Sequence, residues 1–116
     1  MPRDAKSTIT GYHAHIYYSP ETREIAATIR EQLDEAFDVT LGRWREEPVG
    51  PHPTSMYQVA FAADIFPEIV PWLMINRQGL DILVHPETGD DLQDHRDNAL
   101  WLGEKLTLNL EMFMKT

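Results

Sequence analysis

GYHAHIYY, residues 11–18, is the stretch that decides the fold, because it predicts a strand with two chemically different faces. Side chains alternate across a strand, so His13 and His15 share one face, while Ala14, Ile16 and Tyr18 share the other. The apolar face predicts a sheet covered by helices. The two neighbouring imidazoles would form half of a transition-metal site.

Composition limits the classes of protein to which the chain can belong. Its 116 residues, 42% of them hydrophobic, fit one domain over residues 1–116 with a core at about 11–103. The absence of cysteine excludes disulfides and thiolate metal sites, so any metal ligands are His, Asp or Glu. The net charge of -9 opposes binding to nucleic acid and to anionic membranes.

The hydropathy pattern predicts a cytoplasmic protein without membrane segments. No apolar run approaches the roughly 20 residues that span a bilayer, and the start of the chain lacks an apolar signal core.

Periodicity and turn residues predict the following elements: strands at 12–18, 39–44, 55–62 and 80–85, helices at 20–37, 64–79 and 91–103, and an edge strand at 106–112.

The order of these elements predicts a ferredoxin-like α+β fold, an antiparallel sheet with helices on one face, followed by a C-terminal helix and an edge strand. In this interpretation the first and third strands are central and parallel, and the fourth is antiparallel to the first. His85 ends the fourth strand and His52 lies in the loop before the third, so both would come close to His13 and His15.

Spacing alone leaves the role of these histidines open. The pair at His13 and His15 is equally compatible with a metal or catalytic site and with two exposed polar side chains. His95 lies on the apolar face of a predicted helix, where a hydrogen bond to a core carbonyl would satisfy it.

The chain resembles the DOPA 4,5-dioxygenase family over about residues 11–103. The resemblance is carried, in order, by Tyr12–Tyr18, Gly50–Pro53, Pro71–Arg77, Leu83–Asp91 and Asp94–Gly103. It implies a ferredoxin-like enzyme that opens the catechol ring of DOPA with non-haem iron(II) and O2. Many relatives are expected to carry His where this chain has Asn98, so activity could differ.

The implied reaction limits the number of protein ligands. Extradiol cleavage needs about three of six octahedral positions free for the catechol and O2. We therefore predict His15, His52 and His85 as ligands of iron(II), with zinc as a substitute metal. His13 is the predicted acid/base or oxygen-stabilising residue, and His95 is a second catalytic candidate.

Other side chains complete the predicted site. A carboxylate from Asp91 or Asp94 could replace one histidine and give a two-His-one-carboxylate triad. Tyr57, Arg77 and Arg96 are candidates for binding the carboxylate of a DOPA-like substrate.

Two other functions agree with the same residues. One is a non-catalytic, small-ligand-binding ferredoxin-like dimer, and the other is a different metal-dependent enzyme that uses the same histidines. The alternating stretch at 106–112 could pair across a two-fold axis, so we expect a homodimer.

Overall fold

An open, five-stranded antiparallel sheet with helices packed on it forms the fold, as seen in a computed structural model that describes residues 9–114. The strand order is β2-β3-β1-β4-β5, with β1 in the centre. The elements are β1 (Gly11–Tyr17), α1 (Arg23–Ala36), β2 (Thr40–Leu41), β3 (Met56–Ala62), α2 (Phe66–Asn76), β4 (Ile82–Pro86), α3 (Asp91–His95), β5 (Leu100–Leu102) and α4 (Glu111–Met114). This architecture confirms the predicted α+β class.

The two faces of β1 separate as the sequence predicts. Ala14 and Ile16 are fully buried against α1 and α2, in a cluster that also holds Ile29, Leu33 and Leu73. Full burial of such aliphatic side chains stabilises a fold by about 1.5–3 kcal/mol each. The alternate residues of β1 therefore lie on the opposite face of the sheet.

The predicted parallel arrangement of the first and third strands is wrong. β1 and β3 are antiparallel, with Gly11 opposite Ala62 and Tyr17 opposite Met56. The helical crossover through α1 makes β2 parallel to β1, and β3 then turns back between them. The loop that carries His52 consequently enters β3 beside the end of β1.

The predictions for residues 91–112 need two corrections. The third helix ends at His95 rather than Gly103, and the amide of Asn98 donates to the carbonyl of Gln93 just beyond it. Leu100–Leu102 then pairs with the outer edge of β4, whose backbone groups need partners. That edge is therefore occupied, and residues 106–110 form no strand.

The segment after β5 crosses the face of the sheet that is opposite α1 and α2. Leu106 and Leu108 pack there against Tyr17, Met56 and Leu83. The homodimer stays a prediction, but it no longer rests on a strand at 106–112.

In the part of the chain that the structure describes, no helix is both long enough and apolar enough to cross a membrane.

Candidate metal centre

All five histidines of the chain come together on this second face of the sheet. His13 and His15 alternate along β1, and His85 of β4 lies directly opposite His13. His52 reaches the same place from the loop before β3, and His95 is the last residue of α3. The convergence of His13, His15, His52 and His85 follows the prediction, and His95 joins them.

Three of these histidines are close enough to share one ion. His13, His15 and His85 each offer one ring nitrogen, and these three atoms lie within 4.8 Å of one another. The Nε2 atoms of His15 and His85 are 3.0 Å apart. The ring centroid of His52 is 4.2 Å from that of His15, and the centroid of His95 is 4.0 Å from that of His85.

Burial favours the neutral form of four of these histidines. Burial, followed by the neighbouring imidazoles, lowers the pKa of His15 well below its ordinary value of 6.5. Burial also lowers the pKa of His52 and of His85 to about 4. The pKa of His13 is lowered by burial as well, although Glu87 opposes the shift. Neutral imidazoles are the form that binds a metal ion.

Hydrogen bonds fix the tautomers of two of these rings. Nδ1 of His85 donates to the carbonyl oxygen of Pro86 at 3.0 Å, and Nδ1 of His95 donates to that of Asp91 at 2.7 Å. Because a carbonyl oxygen only accepts, Nε2 of each neutral ring keeps its lone pair. Such outer hydrogen bonds are typical of histidines that bind metals.

Glu87 has the same kind of relationship to His13. Its Oε1 accepts from Nε2 of His13 at 2.8 Å, which leaves Nδ1 of the neutral ring with its lone pair. A carboxylate behind a histidine orients the ring and raises the basicity of the metal-binding nitrogen.

His15 is the least satisfied member of the cluster. It is 3% exposed, and its Nδ1 is buried without a hydrogen-bond partner among residues 9–114. The 3.0 Å between Nε2 of His15 and Nε2 of His85 matches two adjacent corners of an octahedron, about 3.0 Å for metal–nitrogen bonds of about 2.1 Å. The residues present therefore fit a divalent transition-metal ion.

His52 has a different environment. The hydroxyl of Tyr17 lies 2.8 Å from Nδ1 of His52. Burial raises the pKa of Tyr17, so its hydroxyl stays protonated and can donate to this nitrogen. In that arrangement Nε2 of His52 carries a hydrogen, so this nitrogen can donate a hydrogen bond but has no lone pair for a metal.

The carboxylates that the sequence offered as ligands have other contacts. Asp94 is fully buried, and its two oxygens accept from the hydroxyl and the amide of Thr88. Asp91 is exposed in the first turn of α3, and its carbonyl oxygen accepts from His95. Within residues 9–114, the carboxylate that pairs with a histidine of the cluster is that of Glu87.

The predicted substrate-binding residues are not brought together. Tyr57 is fully buried on the helix-covered face, where its hydroxyl donates to the carbonyl of Ala26. Arg77 follows α2, and its guanidinium donates to the carbonyl of Leu80. Arg96 lines a cavity beside His95, but its guanidinium pairs with Asp97 at 2.9 Å. Tyr57 therefore lies on the face of the sheet away from the histidines, because β3 turns it toward the helices.

Sequence reasoning missed Glu87 and Tyr17. Alternation along β4 would have indicated Glu87, because this residue follows His85 by two positions and shares its face of the sheet. Alternation along β1 likewise places Tyr17 on the face of His13 and His15. That Tyr17 contacts His52 depends on a tertiary contact between residues 35 positions apart.

The fold and the site define a small α+β protein with a buried histidine cluster that fits a transition-metal ion. The sequence profile of the Dopa 4,5-dioxygenase family matches residues 12–112. The chain belongs to this family.

Three relatives are similar to this chain over most of its length. A crystal structure of a "putative dioxygenase" from Nostoc punctiforme is 54% identical, with a TM-score of 0.93 over 97% of this chain and 96% of that one. A DOPA 4,5-dioxygenase from Amanita muscaria is 36% identical over 90% of this chain and 50% of the relative. An uncharacterized 21.2 kDa protein from Botryotinia fuckeliana is 37% identical over 87% of this chain. This chain spans 62% of the Botryotinia protein, so it covers about half to three fifths of these two fungal relatives.

Proposed function

We propose that this protein is a dioxygenase that opens the ring of DOPA or a related catechol, with non-haem iron(II) as its metal and O2 as its second substrate. The group His13, His15 and His85 is the observation that carries the proposal, since three nitrogens within 4.8 Å of one another suit one ion. Membership of the Dopa 4,5-dioxygenase family supplies the class of reaction.

We assign the ligands as His13, His15 and His85. This set differs from the ligands predicted from the sequence in one residue, because His13 takes the place of His52. Mutual distance supports the exchange, and so does the hydrogen bond from Tyr17, which occupies Nδ1 of His52. Three protein ligands would leave about three octahedral positions for two catechol oxygens and O2. When bound, iron(II) supplies the Lewis acidity and the redox chemistry that the cleavage requires.

The reaction inserts both atoms of O2 into the substrate. The bond that breaks joins one hydroxyl-bearing ring carbon to its neighbour that carries only hydrogen. The first of these carbons becomes a carboxylic acid and the second becomes an aldehyde. The other hydroxyl-bearing carbon keeps its hydroxyl as an enol. The ring carbons are oxidised by four electrons and O2 is reduced by the same four, so no other reductant is needed.

His52 and His95 then act as a hydrogen-bond donor and a proton acceptor at the site. Nε2 of His52 donates a hydrogen bond that stabilises negative charge developing on oxygen, because Tyr17 donates to the other nitrogen of this neutral ring. His95 keeps a lone pair on Nε2, because its Nδ1 donates to Asp91, and it is placed to accept a proton from a catechol hydroxyl.

One experiment tests the proposal directly. The purified, metal-free protein is loaded anaerobically with iron(II), mixed with DOPA, dopamine and 4-methylcatechol, and exposed to O2. We expect uptake of about one iron per chain, consumption of O2, and a yellow ring-opened product. Loss of O2 consumption after His15→Ala, with the fold retained, completes the expected result.

The alternatives have different outcomes in the same experiment. Iron uptake without any product would favour another metal-dependent reaction, for which zinc is the first metal to compare, because three histidines also suit zinc. Ligand binding without metal uptake would favour a binding protein. Either outcome would contradict the proposed dioxygenase.

A further inference from the structure

A cavity of about 240 Å³ adjoins the histidine cluster on the side of the edge strand β2. His15 and His52 line it from the cluster, and Arg43 and Arg45 line it from the segment that follows β2. The volume is below the roughly 300–1,000 Å³ typical of sites for drug-sized ligands, so it suits a molecule of about one ring.

The two arginines give this cavity a charge that is unusual for the chain. Among the described lining residues there are two arginines and no carboxylate, although the sequence holds 19 acidic and 10 basic residues. Arg45 is opposite Met56 in an isolated bridge, and paired residues share a face of the sheet. Arg43 is two positions away and lines the same cavity.

Neither guanidinium forms an ion pair with a carboxylate of the described residues. Within residues 9–114, the ion pairs join His13 to Glu87, Arg23 to Glu46 and Arg96 to Asp97, and none involves Arg43 or Arg45. Trp44 lies between them in sequence but on the other face, where its ring packs on Tyr57 at 5.0 Å. That packing anchors the segment from which both arginines project.

A second basic cavity, of about 260 Å³, lies on the other side of the cluster and is lined by His95, Arg96 and Lys105. Its arginine already has Asp97 as a partner. It also lacks contact with His15, to which we assign the metal. The cavity at Arg43 and Arg45 therefore offers two arginines without an ion pair in the described part of the chain, and it borders His15 directly.

We propose that Arg43 and Arg45 form the carboxylate subsite of this enzyme, so that the preferred substrates are catechols with an acidic side chain. A guanidinium binds a carboxylate through two parallel hydrogen bonds, which adds both affinity and orientation. The described lining offers no acidic group to an ammonium ion, so an amino group on the side chain is not required. This inference rests on the proposed function for the identity of the ring.

The test measures binding without turnover. Calorimetry under anaerobic conditions compares 3-(3,4-dihydroxyphenyl)propionate with 4-ethylcatechol, on metal-free and on iron-loaded protein. We expect the acid to bind at least about tenfold more tightly than the neutral catechol, as a charge-assisted hydrogen bond allows. In R43Q/R45Q this preference should disappear, while R43K/R45K should retain most of it.

The variant R96Q/K105Q separates the two cavities. Loss of the preference in R96Q/K105Q, with R43Q/R45Q unchanged, would overturn the inference, as would equal binding of both ligands to the unmodified protein. Circular dichroism confirms that each variant is folded, and both arginines are exposed, which favours tolerance of the substitutions. A preference for the acid without any ring cleavage would contradict the proposed function and leave the subsite supported.

Discussion

Nε2 of His15 and Nε2 of His85 lie 3.0 Å apart, although 70 positions separate the two residues. The contact crosses from β1 to β4, where His85 is directly opposite His13, so the two rings are diagonal neighbours on one face of the sheet. Their ring planes differ by only 15°. The register of two antiparallel strands therefore builds most of the proposed metal centre.

The first prediction distinguishes the two ligand sets. His13→Ala, His15→Ala and His85→Ala should each lose iron(II), because two remaining nitrogens hold the ion poorly, whereas His52→Ala should retain about one iron per chain. Elemental analysis after anaerobic loading and gel filtration gives the result. Iron lost from His52→Ala and kept by His13→Ala would restore the set expected from the sequence.

The second prediction concerns the carboxylate behind His13. Glu87→Gln removes the negative charge that orients His13, so the affinity for iron(II) should fall by about 10–100-fold without being abolished. Competition with a chelator measures this affinity. Glu21→Gln, at an exposed position in the turn before α1, serves as the matched control and should bind iron normally.

The third prediction concerns Tyr17. Tyr17→Phe removes the hydroxyl that lies 2.8 Å from His52, so His52 no longer has its tautomer fixed. We expect kcat to fall by about tenfold or more at unchanged iron content, since one positioned hydrogen bond to developing negative charge typically contributes about 10²–10³-fold. A variant with normal kcat would show that the hydrogen bond is only structural.

The fourth prediction is a dependence of stability on pH in the metal-free protein. The folded pKa of His52 and of His85 is about 4, below the ordinary value of 6.5, because both side chains are buried. As the pH falls below 6.5, the unfolded chain binds protons first, so stability is lost between about pH 6.5 and 4. Each histidine contributes up to about 1.4 kcal/mol per pH unit.

Urea unfolding at pH 7.5, 6 and 5 measures this loss. In His52→Gln the slope of the free energy of unfolding against pH should decrease by the equivalent of about one proton, because one of the buried imidazoles is gone. Equal free energies of unfolding at pH 7.5 and pH 5 would contradict the assignment of neutral buried histidines.

The fifth prediction compares two glycines with positive φ angles. Gly103 has φ +84°, and a Cβ there would lie 2.5 Å from Oδ1 of Asp81, whereas Gly89 has φ +97° and open space around it. Gly89→Ala should cost about 1 kcal/mol from backbone strain alone. Gly103→Ala should cost about 1–3 kcal/mol more, because Asp81 must also move. Thermal or urea unfolding compares the two, and equal losses would refute the steric contribution.

Local pattern was sufficient for the parts of this protein that alternation and periodicity define. GYHAHIYY predicted both the central strand and the separation of its histidine and aliphatic faces, because a strand exposes alternate residues to opposite sides. The spacing of Ile25, Ile29, Leu33 and Phe37 predicted α1 for the equivalent reason in a helix. The α+β class followed from the order of such elements.

Residues 91–112 show where local pattern was insufficient. Leu92, His95, Ala99 and Leu102 have helical spacing, yet the free edge of β4 draws Leu100–Leu102 into the sheet. The alternating leucines after Gly103 pack over the histidine face instead of forming a strand. In both places a tertiary partner outweighs a local preference, because unpaired strand edges and exposed leucines cost more than a short helix gains.

By itself the sequence determined the residue types of the site, a set of histidines without cysteine, and the strand that carries two of them. Only the tertiary structure decided which three nitrogens are close, that Glu87 and Tyr17 hold two of the rings, and that Arg43 and Arg45 border the same cavity. The physical reason is that these relationships depend on strand register and loop paths, which join residues many positions apart and leave no period in the chain.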